Sequence, residues 1–166
     1  MDPKARLVVA RHAEAGWGGS GSDRDRPLTL RGVQQAVRLG QQLASVGWQP
    51  GVVIHSEARR TTQTWDHMAG AFDRAPRVFS SWDLYHDGPS AYLQAVAQWA
   101  GAAPGVLLVG HNPVVGELVE LLTGQRVPFG TACAALLELP RAEDWQGWDV
   151  ALGVPVRFVM DRVLAG

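Results

Sequence analysis

The sequence predicts an α/β domain in which a mostly parallel sheet is the centre of a three-layer α/β/α sandwich. Three observations lead there. Short apolar runs rich in β-branched or aromatic residues recur along the chain, and each of the first four is followed by a segment whose apolar residues repeat at helical spacing. No internal repeat or linker divides the 166 residues, so residues 1–166 are expected to form one domain.

The elements follow in order. Leu7–Ala10 (LVVA), Val52–His55 (VVIH), Arg77–Phe79 (RVF) and Val106–Val109 (VLLV) read as buried strands. After the first, Val33, Ala36, Val37, Leu43 and Ala44 share one helical face, with Thr29 as N-cap and Gly47 beyond the end. Trp65, Met68, Ala69 and Phe72 form the next apolar face. Leu93, Val96, Ala97 and Ala100 follow Pro89-Ser90, and Leu118, Val119 and Leu122 make a fourth helix. Residues 132–139 (ACAALLEL) and 156–160 (VRFVM) read as further strands, antiparallel at one edge, and residues 141–153 between them as a loop. Residues 16–27 (GWGGSGSDRDRP) are too polar and glycine-rich for regular structure and predict a mobile loop beside the end of the first strand. Most of the seven tryptophans read as core, with Trp17 in that loop a candidate to line a pocket.

Composition narrows the class of function. Fifteen basic against sixteen acidic residues leave a formal net charge of −1 without like-charge blocks, which gives no footprint for nucleic acid or a membrane surface. The longest apolar runs fall far short of the roughly 20 residues that span a bilayer. Cys133 is the only cysteine and no signal-peptide pattern opens the chain, so a cytoplasmic protein is expected.

The chemistry sits at strand ends. In open α/β sheets the carboxyl ends of parallel strands share one edge, where ligand sites form. LVVA delivers Arg11-His12, VVIH delivers Ser56 and Arg59-Arg60, and VLLVG delivers His111-Asn112-Pro113. Two histidines and two or three arginines therefore converge. Guanidinium groups bind phosphate through paired donors, and a neutral imidazole is a competent nucleophile, which suggests phosphoryl chemistry. The five histidines show no His-x-x-x-His or Cys-rich spacing, and arginines repel a cation, so neither a metal nor a cofactor is expected.

With these motifs in order, the chain resembles the histidine phosphatase, or phosphoglycerate mutase-like, superfamily. Arg11-His12-Ala13-Glu14 is similar to its Arg-His-Gly signature, with alanine for glycine. Arg26-Pro27-Leu28-Thr29 followed by Arg31-Gly32 resembles the opening of the next helix. Ser56, Arg60, Gln63 and Thr64 match Ser-x-x-x-Arg-x-x-Gln-Thr, with Glu57 in place of the usual proline, and Gly110-His111-Asn112-Pro113 matches the second histidine signature. The resemblance selects Arg60 over Arg59. The compact stretch between 80 and 105 leaves no room for a large lid insertion and resembles the smallest, SixA-like phosphohistidine phosphatase branch.

The resemblance implies that His12 attacks phosphorus and carries a covalent phosphohistidine, while Arg11, Arg60 and a protonated His111 hold the phosphoryl oxygens. It implies that the second nitrogen of His12 donates to a backbone carbonyl or a carboxylate, with Glu14 a candidate orienter. Arg26 and His86 are further candidates for substrate binding. Asp83 falls nearest the family's general acid, with His86 and Asp87 as rivals. A phosphohistidine substrate relaxes that demand, because a leaving imidazole with a reference pKa of about 6.5 departs as a neutral base. The implied partner is a phosphorylated protein such as a phosphorelay histidine domain, which places the chain in signal transduction. The alternatives are a general phosphomonoesterase acting on small metabolites and a catalytically silent phosphate-binding module.

Overall fold

A computed structural model describes residues 6–17, 19, 21–138 and 158–166. Six strands form one sheet in the order β3-β2-β4-β1-β5-β6. They are β1 (Arg6–Arg11), β2 (Val52–Ser56), β3 (Arg77–Ser81), β4 (Gly105–Gly110), β5 (Cys133–Glu138) and β6 (Val159–Ala165). The first four run parallel, and β5 and β6 add antiparallel at the β1 edge.

The two faces are covered by different helices. Helices α1 (Leu30–Ser45) and α2 (Arg59–Met68) pack Ala36, Leu39, Leu43, Trp65 and Met68 against Val8, Ala10, Val53, Leu107 and Val109. On the other face α4 (Pro89–Trp99) and α5 (Val114–Thr123) bring Tyr92, Val96, Val115, Leu118 and Leu122 onto Leu7, Val9, Ile54, Val106 and Leu108. Alternate residues of β1 and β4 thus serve opposite layers, which is why these strands read as continuous apolar runs. Each fully buried aliphatic side chain there contributes roughly 1.5–3 kcal/mol. This is the expected three-layer sandwich.

The helix expected after β1 starts as its sequence implies, with the Thr29 hydroxyl accepting the Gly32 N–H at 3.0 Å. Gly32 has a further role, since a methyl group there would strike the Glu14 backbone. The second helix ends at Met68 and a 3-10 turn covers Ala69–Ala71, so Phe72 packs from beyond the helix. A short helix the sequence did not suggest, α3 (Asp83–His86), follows β3.

The last strand differs from expectation. It covers Val159–Ala165 rather than 156–160. As an edge strand it is mostly exposed and carries Asp161 and Arg162, so its hydrophobic pattern is weak. Residues 156 and 157, residue 139 and the expected loop at 141–153 lie outside the described residues. Trp48 and Trp65 are core, whereas Trp82 and Trp17 are exposed by 38% and 63%. Among the described residues no helix is long and apolar enough to cross a membrane.

Candidate active site

Sheet register sets the floor of the site. Arg11 pairs with Gly110 across the parallel β1–β4 ladder, so His12 and His111 leave the sheet side by side. The His12 N–H donates to the Gly110 carbonyl at 3.1 Å, and the two imidazole centroids are 5.4 Å apart. Gly110 is small for a reason: a methyl group at that position would run into the Tyr92 phenol. That phenol donates to the Leu84 carbonyl at 2.9 Å and lies 3.4 Å from the His111 amide, which donates to it.

The turn after His12 is held from three sides. His12 Nδ1 donates to the Ala13 carbonyl at 2.7 Å, which leaves Nε2 as the bare nitrogen. The Ala13 N–H donates to Thr64 Oγ1 at 2.9 Å, and the Ala132 N–H donates to the His12 carbonyl at 3.0 Å. Ala132 makes this bond from a left-handed conformation, φ 53°, that costs a non-glycine residue roughly 1 kcal/mol. Ala13 needs no such conformation and is fully buried, so its methyl group fits at the position where the Arg-His-Gly signature that the chain resembles has glycine.

Helix α2 supplies the third wall. Arg60 is buried and faces the histidines, whereas Arg59 is exposed and reaches the Asp25 carbonyl only at 3.5 Å. Ser56 Oγ lies 2.8 Å from His111 Nε2 and accepts the Ala58 N–H at 3.1 Å. The Gln63 side-chain oxygen Oε1 accepts the Leu28 N–H at 2.8 Å, tying α2 to the chain before α1. The whole Ser-x-x-x-Arg-x-x-Gln-Thr pattern therefore locks α2 to both loops.

Electrostatics follow from burial beside guanidinium groups. Burial is the main cause that pushes His12 down to about 4; Arg60, Arg11 and Arg26 add to it and the Ala13 hydrogen bond opposes it. His111 is pushed down to about 3, by burial first and then by Arg60 and His12. Both imidazoles are neutral at pH 7, which suits His12 as a nucleophile. An arriving phosphoryl anion would offset the two arginines and favour protonation of His111. Arg11 donates to the Phe129 carbonyl at 3.2 Å, and its pKa is lowered by burial and by Arg60.

Among the described residues four buried side-chain nitrogens lack a hydrogen-bond partner: Arg11 Nε, Arg60 Nε, His111 Nδ1 and Trp48 Nε1. Three of the four belong to this site. Two are permanent N–H donors, and an oxyanion is the partner that suits them.

The remaining candidates are placed as follows. Glu14 pairs with Arg31 at 3.5 Å, so the Ala13 carbonyl, not Glu14, orients His12. Arg26 donates to the carbonyls of Gly16 (3.2 Å) and Ala15 (3.3 Å) and stacks over Trp17 at 4.5 Å. Asp83 is exposed; its N–H donates to Ser81 Oγ, and among the described residues no hydrogen bond or ion pair joins its carboxylate to the histidines or arginines. His86 is exposed and packs edge-on against Tyr85, and the exposed Asp87 closes α3. No group of three or more metal-ligating side chains occurs among the described residues.

Two groups escaped sequence reasoning. Asp23, in a 3-10 turn at Asp23–Asp25, receives Arg60 Nη1 on its backbone carbonyl (2.8 Å) and Nη2 on its carboxylate (3.1 Å). Tyr85 donates to the same carboxylate at 2.6 Å and stands edge-on to His111 at 5.4 Å. That hydrogen bond is the leading cause that holds Asp23 down at about 2 and pushes Tyr85 up. Neither lies in a periodic segment, so no sequence signal marks them.

Comparison with known proteins places the chain in a family. The profile of the histidine phosphatase superfamily (branch 1) matches residues 7–83. A phosphohistidine phosphatase SixA homolog of Haemophilus influenzae is 31% identical over 146 residues, 80% of this chain and 86% of that protein. The chain belongs to the histidine phosphatase superfamily. An uncharacterised chloroplastic protein of Arabidopsis thaliana is 31% identical over 145 residues, but those cover only 66% of its length. Among solved structures, a candidate phosphohistidine phosphatase SixA from Nakamurella multipartitia superposes with a TM-score of 0.79 at 29% identity, covering 98% of each chain. The family match and these SixA-type neighbours support a hydrolase of the phosphatase class on the phosphoglycerate mutase-like fold.

Proposed function

We propose that this protein removes the phosphoryl group from phosphohistidine on another protein, through a covalent intermediate on His12. The observation that carries the reading is the convergence of a neutral His12, its Nε2 bare, with the unpartnered nitrogens of Arg11, Arg60 and His111. His12 Nε2 attacks phosphorus in line and the bond from phosphorus to the leaving nitrogen breaks. Arg11 and Arg60 balance the charge of the equatorial oxygens, and His111 adds a donor once the anion has raised its proton affinity. Water then attacks the phosphohistidine, releasing inorganic phosphate and regenerating neutral His12.

The choice of an N–P substrate rests on proton supply. An alkoxide leaving group needs an acid, yet Asp83 is exposed and bonded to none of the site's histidines or arginines, and Asp23, held at about 2, has no proton to give at neutral pH. A phosphohistidine ring whose far nitrogen carries a proton leaves as neutral imidazole when the N–P bond breaks, so the enzyme need supply no further acid. The segment between β3 and β4 holds only α3 and α4, without a large lid insertion, which suits a side chain presented by a protein. A phosphorelay histidine domain is a fitting partner, in the cytoplasm. The likeness to a SixA homolog points the same way. A side-by-side assay of a phosphohistidine-bearing protein and a panel of phosphate esters tests it: kcat/KM should favour the protein, and a strong preference for an ester overturns the reading.

A further inference from the structure

Asp23 offers Arg60 two oxygens, one from its backbone and one from its side chain, and the guanidinium fork grips both through Nη1 and Nη2. Two parallel N–H···O contacts are also what a guanidinium makes to a phosphate. The carboxylate is fixed by Tyr85 at 2.6 Å and by Arg26 at 3.3 Å, while its side chain stays 45% exposed at the mouth. It is carried by a glycine-rich loop in which Gly19 and Gly21 have open space around them. The loop is joined to the body by side-chain contacts, including Arg24 over Trp82 at 5.6 Å.

We propose that Asp23 is an internal competitor for the phosphate clamp, a carboxylate that takes Arg60 when product phosphate leaves and so speeds its release and sets the anion affinity of the site. The inference rests on the reading of Arg60 as a phosphate ligand and adds a residue outside the histidine and arginine signatures. A phosphoryl dianion and the Asp23 carboxylate repel one another across one guanidinium, so each weakens the hold of the other. Product phosphate has the same charge and contacts as the transferred group, and the buried Arg60 together with the half-buried Arg11 alone would retain it. A competing carboxylate on the same chain is always at hand, so it limits how tightly product can bind. Tyr85 is the positioning residue that holds the competitor at its post.

The test compares inorganic phosphate binding by calorimetry, and product inhibition in turnover, for the intact protein, Asp23→Asn, Asp23→Ala and Arg60→Ala. Asp23→Asn keeps an oxygen for Arg60 and Tyr85 but removes the charge. It should bind phosphate about tenfold more tightly, with a lower Ki and a kcat reduced wherever release limits turnover. Asp23→Ala should also tighten binding, and thermal unfolding checks that each variant is folded. Unchanged or weaker phosphate binding in folded Asp23→Asn overturns the proposal. Phosphate binding that Arg60→Ala leaves intact instead overturns the clamp itself, and with it the function proposed above.

Discussion

His12 and His111 leave adjacent parallel strands at paired positions, whereas Asp23 and Tyr85 reach the same site from a glycine-rich loop and a four-residue helix. The first pair is placed by backbone hydrogen bonds inside a packed sheet. The second is placed by side chains that hold each other at the mouth. Positioning for catalysis rewards the first construction, because a misplaced nucleophile costs far more than a misplaced rim residue. Exchange of substrate and product rewards the second, because rim contacts break without disturbing the core.

Substitutions on the two sides should therefore differ in kind. The largest effect belongs to the floor: His12→Ala should lower turnover by roughly 10⁴-fold or more and abolish the labelled phosphoenzyme, and full activity in that variant ends the mechanism. Arg60→Ala, which removes a buried donor, should cost about 10²–10³ in kcat, while exposed Arg59→Ala leaves the rate near its original value; steady-state kinetics on both variants checks the contrast. Gly110→Ala forces a methyl group into the Tyr92 phenol and should destabilise by about 1–3 kcal/mol in urea unfolding. The smallest effect belongs to the rim: a general acid at position 83 would contribute about 10²–10⁴, yet Asp83→Asn should change kcat by less than about twofold on a phosphohistidine substrate.

The histidine pair also sharpens the comparison through pH. Both are lowered from an ordinary value of 6.5, to about 4 and about 3. The unfolded chain then binds more protons than the native one between about pH 6.5 and these values, so stability is full above about 6.5 and falls as pH drops. Imidazole NMR should place the titration of His12 near 4, and a midpoint near 6.5 would mean that the floor is wetter than its burial implies. Arg60→Ala should move that midpoint upward, since Arg60 contributes to the shift.

The same division decides what could be read in advance. β1, β2 and β4 are buried runs, apolar inside apart from His55, that lead directly into polar residues, so both the strands and their cargo, Arg11-His12, Ser56 and His111, were legible. Thr29 announced the start of α1 by its capping chemistry. By contrast β6 is an exposed edge, and α3 is too short for a helical period to register. Glu14 and Asp83 were attractive by chain position, but one is turned toward Arg31 and the other toward solvent, a matter of side-chain direction that spacing does not encode. Asp23 and Tyr85 meet across 62 positions of chain through a single hydrogen bond, a contact that no local pattern contains.

One feature of α2 has a practical reach for protein engineering. Thr64 accepts the Ala13 N–H and donates to the Arg60 carbonyl at 2.7 Å, so one hydroxyl joins the turn that carries the nucleophile to the turn that carries the phosphate ligand. One helical turn of α2 thereby acts as a gauge between two parts of the chain. A chimera that transplants residues 6–14 without 56–64, or the reverse, loses that gauge while keeping every charged group. The transferable unit is the pair of segments together, joined by an uncharged threonine.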